Sequence, residues 1–151
     1  MKKISLFIFI IIFFGLVSIY FFLPDTMFGL VQKMERKSGG VQEKSITVKG
    51  LNIHYLEGGK GEPLVLVHGF GANKDNWTRI GKFLTPSFRV IAPDLPGFGE
   101  SGKRSDNKYT IKDQALFLKQ FVYKLNLKTF HLGGNSMGGN ISGQYAALFQ
   151  E

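Results

Sequence analysis

Cysteine is absent from this 151-residue sequence, and histidine occurs only three times, at His54, His68 and His131. Without cysteine, neither a disulfide framework nor a thiolate metal site can form. The histidines are far apart and belong to no metal-binding motif such as H-E-x-x-H. We therefore expect no metal site.

Dense blocks of basic residues are also missing, although the formal net charge is +8. The lysines and arginines are scattered along the chain, which makes a nucleic-acid-binding surface the least favoured explanation of the positive charge. Attraction to an anionic membrane surface and simple solubility remain as explanations. We therefore expect no nucleic-acid partner.

Charge is absent from the segment from Ile4 to Leu23, which consists almost entirely of Ile, Leu, Phe and Val. A helix of this length spans the hydrocarbon core of a bilayer. A cleaved signal peptide is the alternative, but its apolar core is usually shorter and a cleavage site of small residues follows it. This segment shows neither feature, so we predict an uncleaved transmembrane anchor over residues 1–23.

Basic residues around this segment predict its orientation. Lys2 and Lys3 precede it, and no basic residue follows until Lys33. The positive-inside rule then predicts a cytoplasmic N-terminus, with the rest of the chain on the far side of the membrane. Residues 24–43 form a juxtamembrane linker, whose apolar residues at helical spacing leave open both an amphipathic surface helix and an ordinary solvated helix.

Strand and helix patterns alternate over residues 44–151. Two segments of alternating polarity predict a hairpin, and three apolar runs predict buried strands. The hairpin strands are 44–49 and 51–57, the buried strands are 64–68, 88–92 and 128–132, and helices are expected at 75–84, from Thr110 and from Asn140. This order predicts an α/β fold with a largely parallel sheet.

A glycine-rich motif, Gly134-x-Ser136-x-Gly138, follows the last predicted strand and precedes a predicted helix. This spacing and context are typical of a nucleophile elbow, in which a serine lies on a strained turn between a strand and a helix. The glycines allow backbone angles and close packing that a side chain would prevent. A small-residue turn with an inert serine is the alternative.

A second glycine-rich turn, His68-Gly69-Phe70-Gly71, follows the predicted strand at 64–68. Backbone N–H groups in such a turn can bind an anion. One donor from this turn and one from the residue after the serine would form an oxyanion hole, so Phe70 and Met137 are the candidate donors. A histidine at the end of a buried strand more often fixes its own loop than acts as a base, so we expect a structural role for His68.

A third motif, Gly97-x-Gly99-x-x-Gly102, matches the dinucleotide-binding pattern. The next predicted helix begins only near Thr110, however, so no helix N-terminus is placed to bind a pyrophosphate. No acidic residue stands at the distance expected of a ribose-binding group, and no Gly-Lys-Ser/Thr follows the glycines. We therefore expect no nucleotide cofactor and, with the metal site excluded above, no cofactor at all.

The segment around Pro96-Gly97 instead predicts a tight structural loop. Proline followed by glycine suits a type II turn, and the Asp94 side chain is expected to hydrogen-bond the backbone of this turn.

In their order along the chain, the three motifs resemble those of the α/β-hydrolases. The matching residues are His68-Gly69-Phe70, Asp94-x-Pro96-Gly97-x-Gly99-x-Ser101 and Gly134-Asn135-Ser136-Met137-Gly138-Gly139. The segments 67–77 and 134–139 are most similar to membrane-anchored monoacylglycerol lipases and related bacterial lipases. The resemblance implies a serine nucleophile at Ser136, an oxyanion hole from Phe70 and Met137, a lipid ester or small acyl ester as substrate, and a membrane as partner.

The catalytic acid and histidine of this family follow the serine along the chain. Here no histidine follows Ser136, and the only later acid is Glu151. We therefore expect the N-terminal part of an α/β-hydrolase, from a fragment or a truncated reading frame, that is inactive by itself. A non-catalytic, membrane-tethered remnant or binding module is the alternative, as is another serine enzyme of this fold, such as a C–C hydrolase or perhydrolase.

Overall fold

The computed structural model describes residues 2–22 and 24–149. The chain divides into two compact units, Met1–Met34 and Glu35–Glu151. Helix α1 (Lys2–Phe22) lies in the first unit, and helix α2 (Pro24–Ser38) crosses the boundary between the units. The ends of the predicted anchor, Met1 and Leu23, and the last acid, Glu151, lie outside the described residues.

A membrane span requires a helix of sufficient length and apolar composition. Within the described ranges, no single helix meets both requirements. The helical segments Leu6–Phe21 and Thr26–Ser38, which are bent by 82° from one another, meet the criteria as a pair.

A five-stranded mixed sheet forms the centre of the second unit, with strand order β1-β2-β4-β3-β5. Its strands are β1 (Val41–Val48), β2 (Leu51–Gly58), β3 (Glu62–Val67), β4 (Phe88–Pro93) and β5 (His131–Gly134). The hairpin β1-β2 and the pair β2-β4 are antiparallel, whereas β3 is parallel to both β4 and β5. The predicted hairpin followed by parallel strands is confirmed, but the sheet as a whole is mixed rather than largely parallel, because only β4, β3 and β5 are parallel to one another.

Helices connect the parallel strands. A short 3-10 helix (Lys74–Trp77) and helix α3 (Thr78–Leu84) lie between β3 and β4 in the chain. Helix α4 (Ile111–Lys124) precedes β5, and helix α5 (Met137–Leu148) follows it. Thr110 caps α4 in a capping box with Asp113, which confirms the predicted start of this helix.

Apolar residues fill both faces of the sheet. Alternate residues of β3 point to opposite sides, so Val65 and Val67 join one buried cluster and Leu66 joins the other. The larger cluster packs against α4 and α5, and includes Phe121 and Ile141. Burial on both faces is typical of an α/β domain, and it holds the carboxyl ends of β3 and β5 side by side.

Two boundaries near the end of the chain differ from the prediction. Strand β5 begins at His131 rather than at residue 128, and α5 begins at Met137 rather than at Asn140. The strand pairs with β3 through Gly133 and Gly134, which have no side chain to give an apolar signal in the sequence. The predicted turn at Pro96-Gly97 is confirmed, because Gly97 has a φ of 85° and the Phe98 N–H donates to the Leu95 carbonyl at 2.9 Å.

Candidate active site

The sharp turn between β5 and α5 carries Ser136. This residue has φ 54° and ψ −119°, a backbone conformation that costs a non-glycine residue about 1–3 kcal/mol. The turn is held to the neighbouring strand, because the Asn135 N–H donates to the Val67 carbonyl at 3.1 Å. The strained serine therefore projects from a fixed position at the carboxyl end of the sheet, as a nucleophile elbow requires.

Both glycines of the elbow motif lie at points of close backbone approach. A Cβ atom at Gly134 would lie 2.3 Å from the Gly138 carbonyl carbon, and one at Gly138 would lie 2.1 Å from the Val67 carbonyl oxygen. Real Cβ contacts are essentially never this short. Any side chain at these positions would push α5 away from the sheet and move Ser136 with it.

The glycine-rich turn after β3 lies directly beside the elbow. Val67 pairs with Gly134 across the parallel strands, and a Cβ atom at Gly69 would lie 3.4 Å from Cβ of Ser136. The backbone N–H groups of Phe70 and Met137 have no hydrogen-bond acceptor among the described residues. Unpaired N–H groups beside a serine are the donors that an oxyanion hole needs.

His68 is fully buried between the two loops that follow β3 and β4. Its Nδ1 lies 2.8 Å from the Gly69 carbonyl oxygen, and its Nε2 accepts the Leu95 N–H at 3.1 Å. These partners assign the proton to Nδ1 and leave the ring neutral. Burial lowers the pKa of His68, which opposes a charged form. In this arrangement the imidazole holds the two loops together.

The other two histidines lie elsewhere. His54, on β2, contacts Glu43 through Nδ1 at 3.2 Å. His131 is at the amino end of β5, whereas Ser136 follows the carboxyl end, and its Nε2 contacts Glu62 at 2.8 Å. No histidine among the described residues is hydrogen-bonded to Ser136.

Asp94 is fully buried beneath the loop that follows β4. Its Oδ1 accepts the Lys74 backbone N–H at 2.6 Å, and its Oδ2 accepts the Glu100 N–H at 3.0 Å. Gly99 packs so closely on this carboxylate that a Cβ atom would lie 2.2 Å from Oδ2. The carboxylate thus joins its own loop to the turn after β3, whereas the sequence predicted a bond within its own loop alone.

Lys74 is the residue of this region that the sequence did not identify. Its side chain is fully buried, and its Nζ lies 3.0 Å from Asp94 Oδ2, 2.9 Å from Glu100 Oε1 and 3.3 Å from Glu43 Oε1. Burial lowers the pKa of Lys74, but the hydrogen bonds that its ammonium donates to Glu100 and Asp94 outweigh that effect and raise the pKa. A lysine between Asn73 and Asp75 has the pattern of a solvated helix start, so a single sequence gives no signal of its burial.

Further ion pairs extend from Lys74 to the last turn of α2. Arg36 binds Asp75 through two hydrogen bonds of 2.6 and 2.8 Å, and it also binds Glu43. Burial raises the pKa of Glu43, but Lys74 and Arg36 outweigh burial and lower the pKa to about 2. Glu43, His54 and Glu100 could each offer one atom to a metal ion, but both carboxylates already form ion pairs with the Lys74 ammonium.

Comparison with known proteins gives the family. The family model described as the alpha/beta hydrolase fold matches residues 62–151. Lipase 1 of Psychrobacter immobilis is 44% identical over 119 residues, which cover 76% of this chain and 37% of that lipase. The human monoacylglycerol lipase ABHD6 is 40% identical over 88 residues, which cover 57% of this chain and 26% of that enzyme.

A solved structure of a membrane phospholipase A superimposes with a TM-score of 0.81 at 40% sequence identity, covering 97% of this chain and 48% of the other. The chain thus spans less than half of the length of each of these relatives. The resemblance to bacterial lipases and monoacylglycerol lipases expected from the motifs is confirmed. The fold, the order of the motifs and the family match agree, and this chain belongs to the alpha/beta hydrolase fold family.

Proposed function

We propose that this chain provides the nucleophile and the oxyanion hole of a serine hydrolase that cleaves lipid esters such as acylglycerols. The observation that carries the proposal is the strained backbone of Ser136, at φ 54° and ψ −119°, directly beside the turn at Gly69. Strain of this size persists where the surrounding structure enforces it, and such positions cluster at active sites.

In the proposed reaction, Ser136 Oγ attacks the carbonyl carbon of the ester and loses its proton to a general base. The carbonyl oxygen becomes an oxyanion, which accepts hydrogen bonds from the N–H groups of Phe70 and Met137. The C–O bond to the alcohol then breaks, and the alcohol leaves with the proton. Water hydrolyses the acyl-serine by the same steps and regenerates the hydroxyl group.

The general base is the part of the proposed enzyme that this sequence does not include. In this family the acid and the histidine follow the serine, and no histidine occurs between Met137 and Glu151. The chain spans 37% of a lipase relative, so residues of the whole protein beyond this sequence are proposed to supply both groups. The 151 residues by themselves are then expected to be inactive.

The aromatic surface beside Ser136 supports a lipid substrate. The Phe70 side chain is 81% exposed, and its ring lies 5.9 Å from that of Phe98. Exposed apolar groups at a site favour an apolar ligand over a charged one. Matched relatives that are named lipases support the same class of substrate.

The N-terminal helices are proposed to attach the protein to a membrane, with α1 as the anchor over residues 1–23 and residues 24–43 as the linker to the hydrolase domain at 44–151. The apolar side chains of α1 are mostly exposed, from Leu6 to Phe21. On α2, Met27, Leu30, Val31 and Met34 share one face and are also exposed, which favours an interfacial helix over a solvated one. The cytoplasmic N-terminus stays part of this proposal.

Covalent labelling tests the nucleophile. The protein translated from its complete gene is incubated in detergent with a fluorophosphonate, and the modified peptide is identified by mass spectrometry. We expect label on Ser136, none after Ser136→Ala, and normal labelling after Ser142→Ala, because the Ser142 hydroxyl donates to the Gly138 carbonyl within α5. Absence of label in the unsubstituted protein, or label that survives Ser136→Ala, contradicts the proposal and favours a non-catalytic remnant.

Site-directed fluorescence tests the membrane contact, and the absence of cysteine makes single labels possible. Val31→Cys and Lys33→Cys place a probe on opposite faces of α2, since two residues turn a helix by about 200°. In vesicles of phosphatidylglycerol and phosphatidylcholine, brominated acyl chains should quench the probe at position 31 and spare the one at position 33. Equal quenching at the two positions contradicts the interfacial helix.

Protease protection tests the orientation. Digestion of the C-terminal part by a protease on the cytoplasmic side contradicts a cytoplasmic N-terminus.

A C–C hydrolase is the second candidate. One matched relative, from Metapseudomonas resinovorans, is named 2-hydroxy-6-oxo-6-(2'-aminophenyl)hexa-2,4-dienoic acid hydrolase, and it is 36% identical over 112 residues. Turnover of that dienoic acid without turnover of 1-oleoylglycerol or a p-nitrophenyl ester selects this candidate. Solved structures of an epoxide hydrolase and of a haloalkane dehalogenase also share the fold, each at 28% sequence identity.

A further inference from the structure

The two ends of the turn that carries Phe70 are bound to two consecutive residues, Leu95 and Asp94. At one end, His68 Nε2 accepts the Leu95 N–H at 3.1 Å. At the other end, the Lys74 N–H donates to Asp94 Oδ1 at 2.6 Å. Among the described residues, one backbone hydrogen bond has both its donor and its acceptor between these anchors, from the Ala72 N–H to the Gly69 carbonyl at 3.3 Å. The direction of the Phe70 N–H therefore depends on the two anchors.

The anchor at Asp94 is itself fixed. Its backbone N–H donates to the His54 carbonyl at 2.8 Å, its carbonyl accepts from the Ser101 hydroxyl at 2.9 Å, and Gly99 covers its carboxylate. These contacts fix the backbone of Asp94 and cover its carboxylate, so Oδ1 has a defined position for the Lys74 N–H to bind.

The Lys74 side chain makes a second contact with the Asp94 carboxylate, in addition to the contact of its backbone N–H. Its Nζ returns to Asp94 Oδ2 at 3.0 Å, so one lysine binds both oxygens of one carboxylate, through its backbone and through its side chain. Lys74 and Asp94 are both fully buried. Buried ion pairs of this kind are poor sources of stability, because apolar residues of similar volume often serve as well.

We infer that Lys74 and Asp94 are positioning residues of the oxyanion hole, and that their double contact aims the Phe70 N–H at the oxyanion. The inference rests on the proposed function, because it assigns a task to a donor of the proposed site. Neither residue touches the substrate. They act through the turn at 69–73, and their effect falls on the transition state, where the carbonyl oxygen carries charge.

The test is the variant Lys74→Met in the protein translated from its complete gene, because methionine keeps an unbranched apolar chain and removes the ammonium. A donor moved by about 1 Å costs roughly 10²-fold in rate. We therefore expect kcat for a p-nitrophenyl ester to fall about 10²-fold with KM nearly unchanged. The affinity for a trifluoromethyl ketone, which forms a tetrahedral oxyanion on serine, should fall by a similar factor.

Two further variants separate positioning from folding. Lys44→Met removes a lysine of the exposed pair with Glu57 on the β1-β2 hairpin, and it should leave kcat and ketone affinity unchanged. Asp94→Asn keeps an oxygen for the Lys74 N–H and loses the charge, so it should show a smaller fall in kcat with the same KM. If Lys74→Met does not fold, Asp94→Asn carries the test.

The outcomes distinguish this inference from the proposed function. If the unsubstituted protein does not react with a fluorophosphonate, that result contradicts the proposed function itself. A reactive unsubstituted protein, together with a folded Lys74→Met or Asp94→Asn variant whose kcat and ketone affinity stay within twofold, overturns the positioning role alone. A change in KM with no change in kcat also overturns it, because positioning of the oxyanion donor acts on the chemical step.

Discussion

Gly138 packs against the carbonyl oxygen of Val67 so closely that a Cβ atom would lie 2.1 Å from it. Gly139, the next residue, has only an ordinary contact, at 3.5 Å from the Gly134 carbonyl oxygen. These two adjacent glycines in the first turn of α5 therefore differ in the space available for a side chain. They form a matched pair for substitution.

Gly138→Ala should destabilise the protein by at least the roughly 1–3 kcal/mol typical of overpacking, since the opposing atoms are backbone. Gly139→Ala should be neutral or stabilising by up to about 1 kcal/mol, because alanine favours a helix more than glycine does. Thermal unfolding of the two variants measures this difference. Equal unfolding temperatures would show that α5 does not pack against Val67 as described.

Ser136→Gly should raise stability, because glycine adopts positive φ without the strain that serine bears. The gain should be about 1–3 kcal/mol, the usual cost of such a conformation. Ser142→Gly, in the middle of α5, should lower stability, since glycine is unfavourable within a helix. Denaturant unfolding gives both values, and a loss of stability in Ser136→Gly would argue against strain at the elbow.

Acid should weaken the fold through His68. Burial lowers the pKa of His68 below 6.5, so between 6.5 and its folded pKa the unfolded chain binds a proton that the folded chain does not. The contribution of neutral His68 is thus complete above pH 6.5 and is lost as the pH falls below it. The unfolding temperature should fall from pH 7.5 to pH 5.5.

Two variants identify the source of this pH dependence. His68→Gln should be less stable at pH 7.5 but should show a flatter pH dependence, because the titrating ring is gone. His131→Gln should keep the slope, since His68 is still present. A slope that survives His68→Gln would assign the acid sensitivity to other groups.

Thr110→Ala should lower stability by about 1 kcal/mol. The Thr110 hydroxyl accepts the Asp113 N–H at 3.2 Å, and the Asp113 carboxylate accepts the Thr110 N–H at 3.1 Å. Alanine removes the first of these bonds from the capping box. Thermal unfolding tests the loss, and Thr110→Ser should retain most of the stability because its hydroxyl can cap in the same way.

The sequence predicted most of the parts that have local signals. The turn at Ser136, the turn at Gly69 and the type II turn at Pro96-Gly97 were visible in the sequence, because glycine and proline mark unusual backbone angles. The start of α4 was visible because Thr110 and Asp113 form a short-range pattern. Strand β5 was placed too early, since Phe130 and Leu132 carry the apolar signal whereas the pairing extends through Gly133 and Gly134.

The ion pairs around the candidate site could not be predicted, because they depend on tertiary neighbours. Lys74 lies 20 residues from Asp94 and 26 from Glu100 in the chain. Arg36 lies 39 residues from Asp75, in a segment that the sequence marks only as a linker. Charged residues at such separations form no periodic pattern in the sequence. Without such a pattern, they are interpreted as part of a solvated surface.

The position of β3 between β4 and β5 has a consequence for how such a protein can change. The turn that carries Phe70 and the turn that carries Ser136 follow neighbouring strands, while the chain between them runs through helices α3 and α4. Loops in these connections, such as the one at residues 103–109, can therefore gain or lose length while the two turns keep their spacing. Under the proposed function, variation in those loops offers a route to new substrates that leaves the spacing of Phe70 and Ser136 intact.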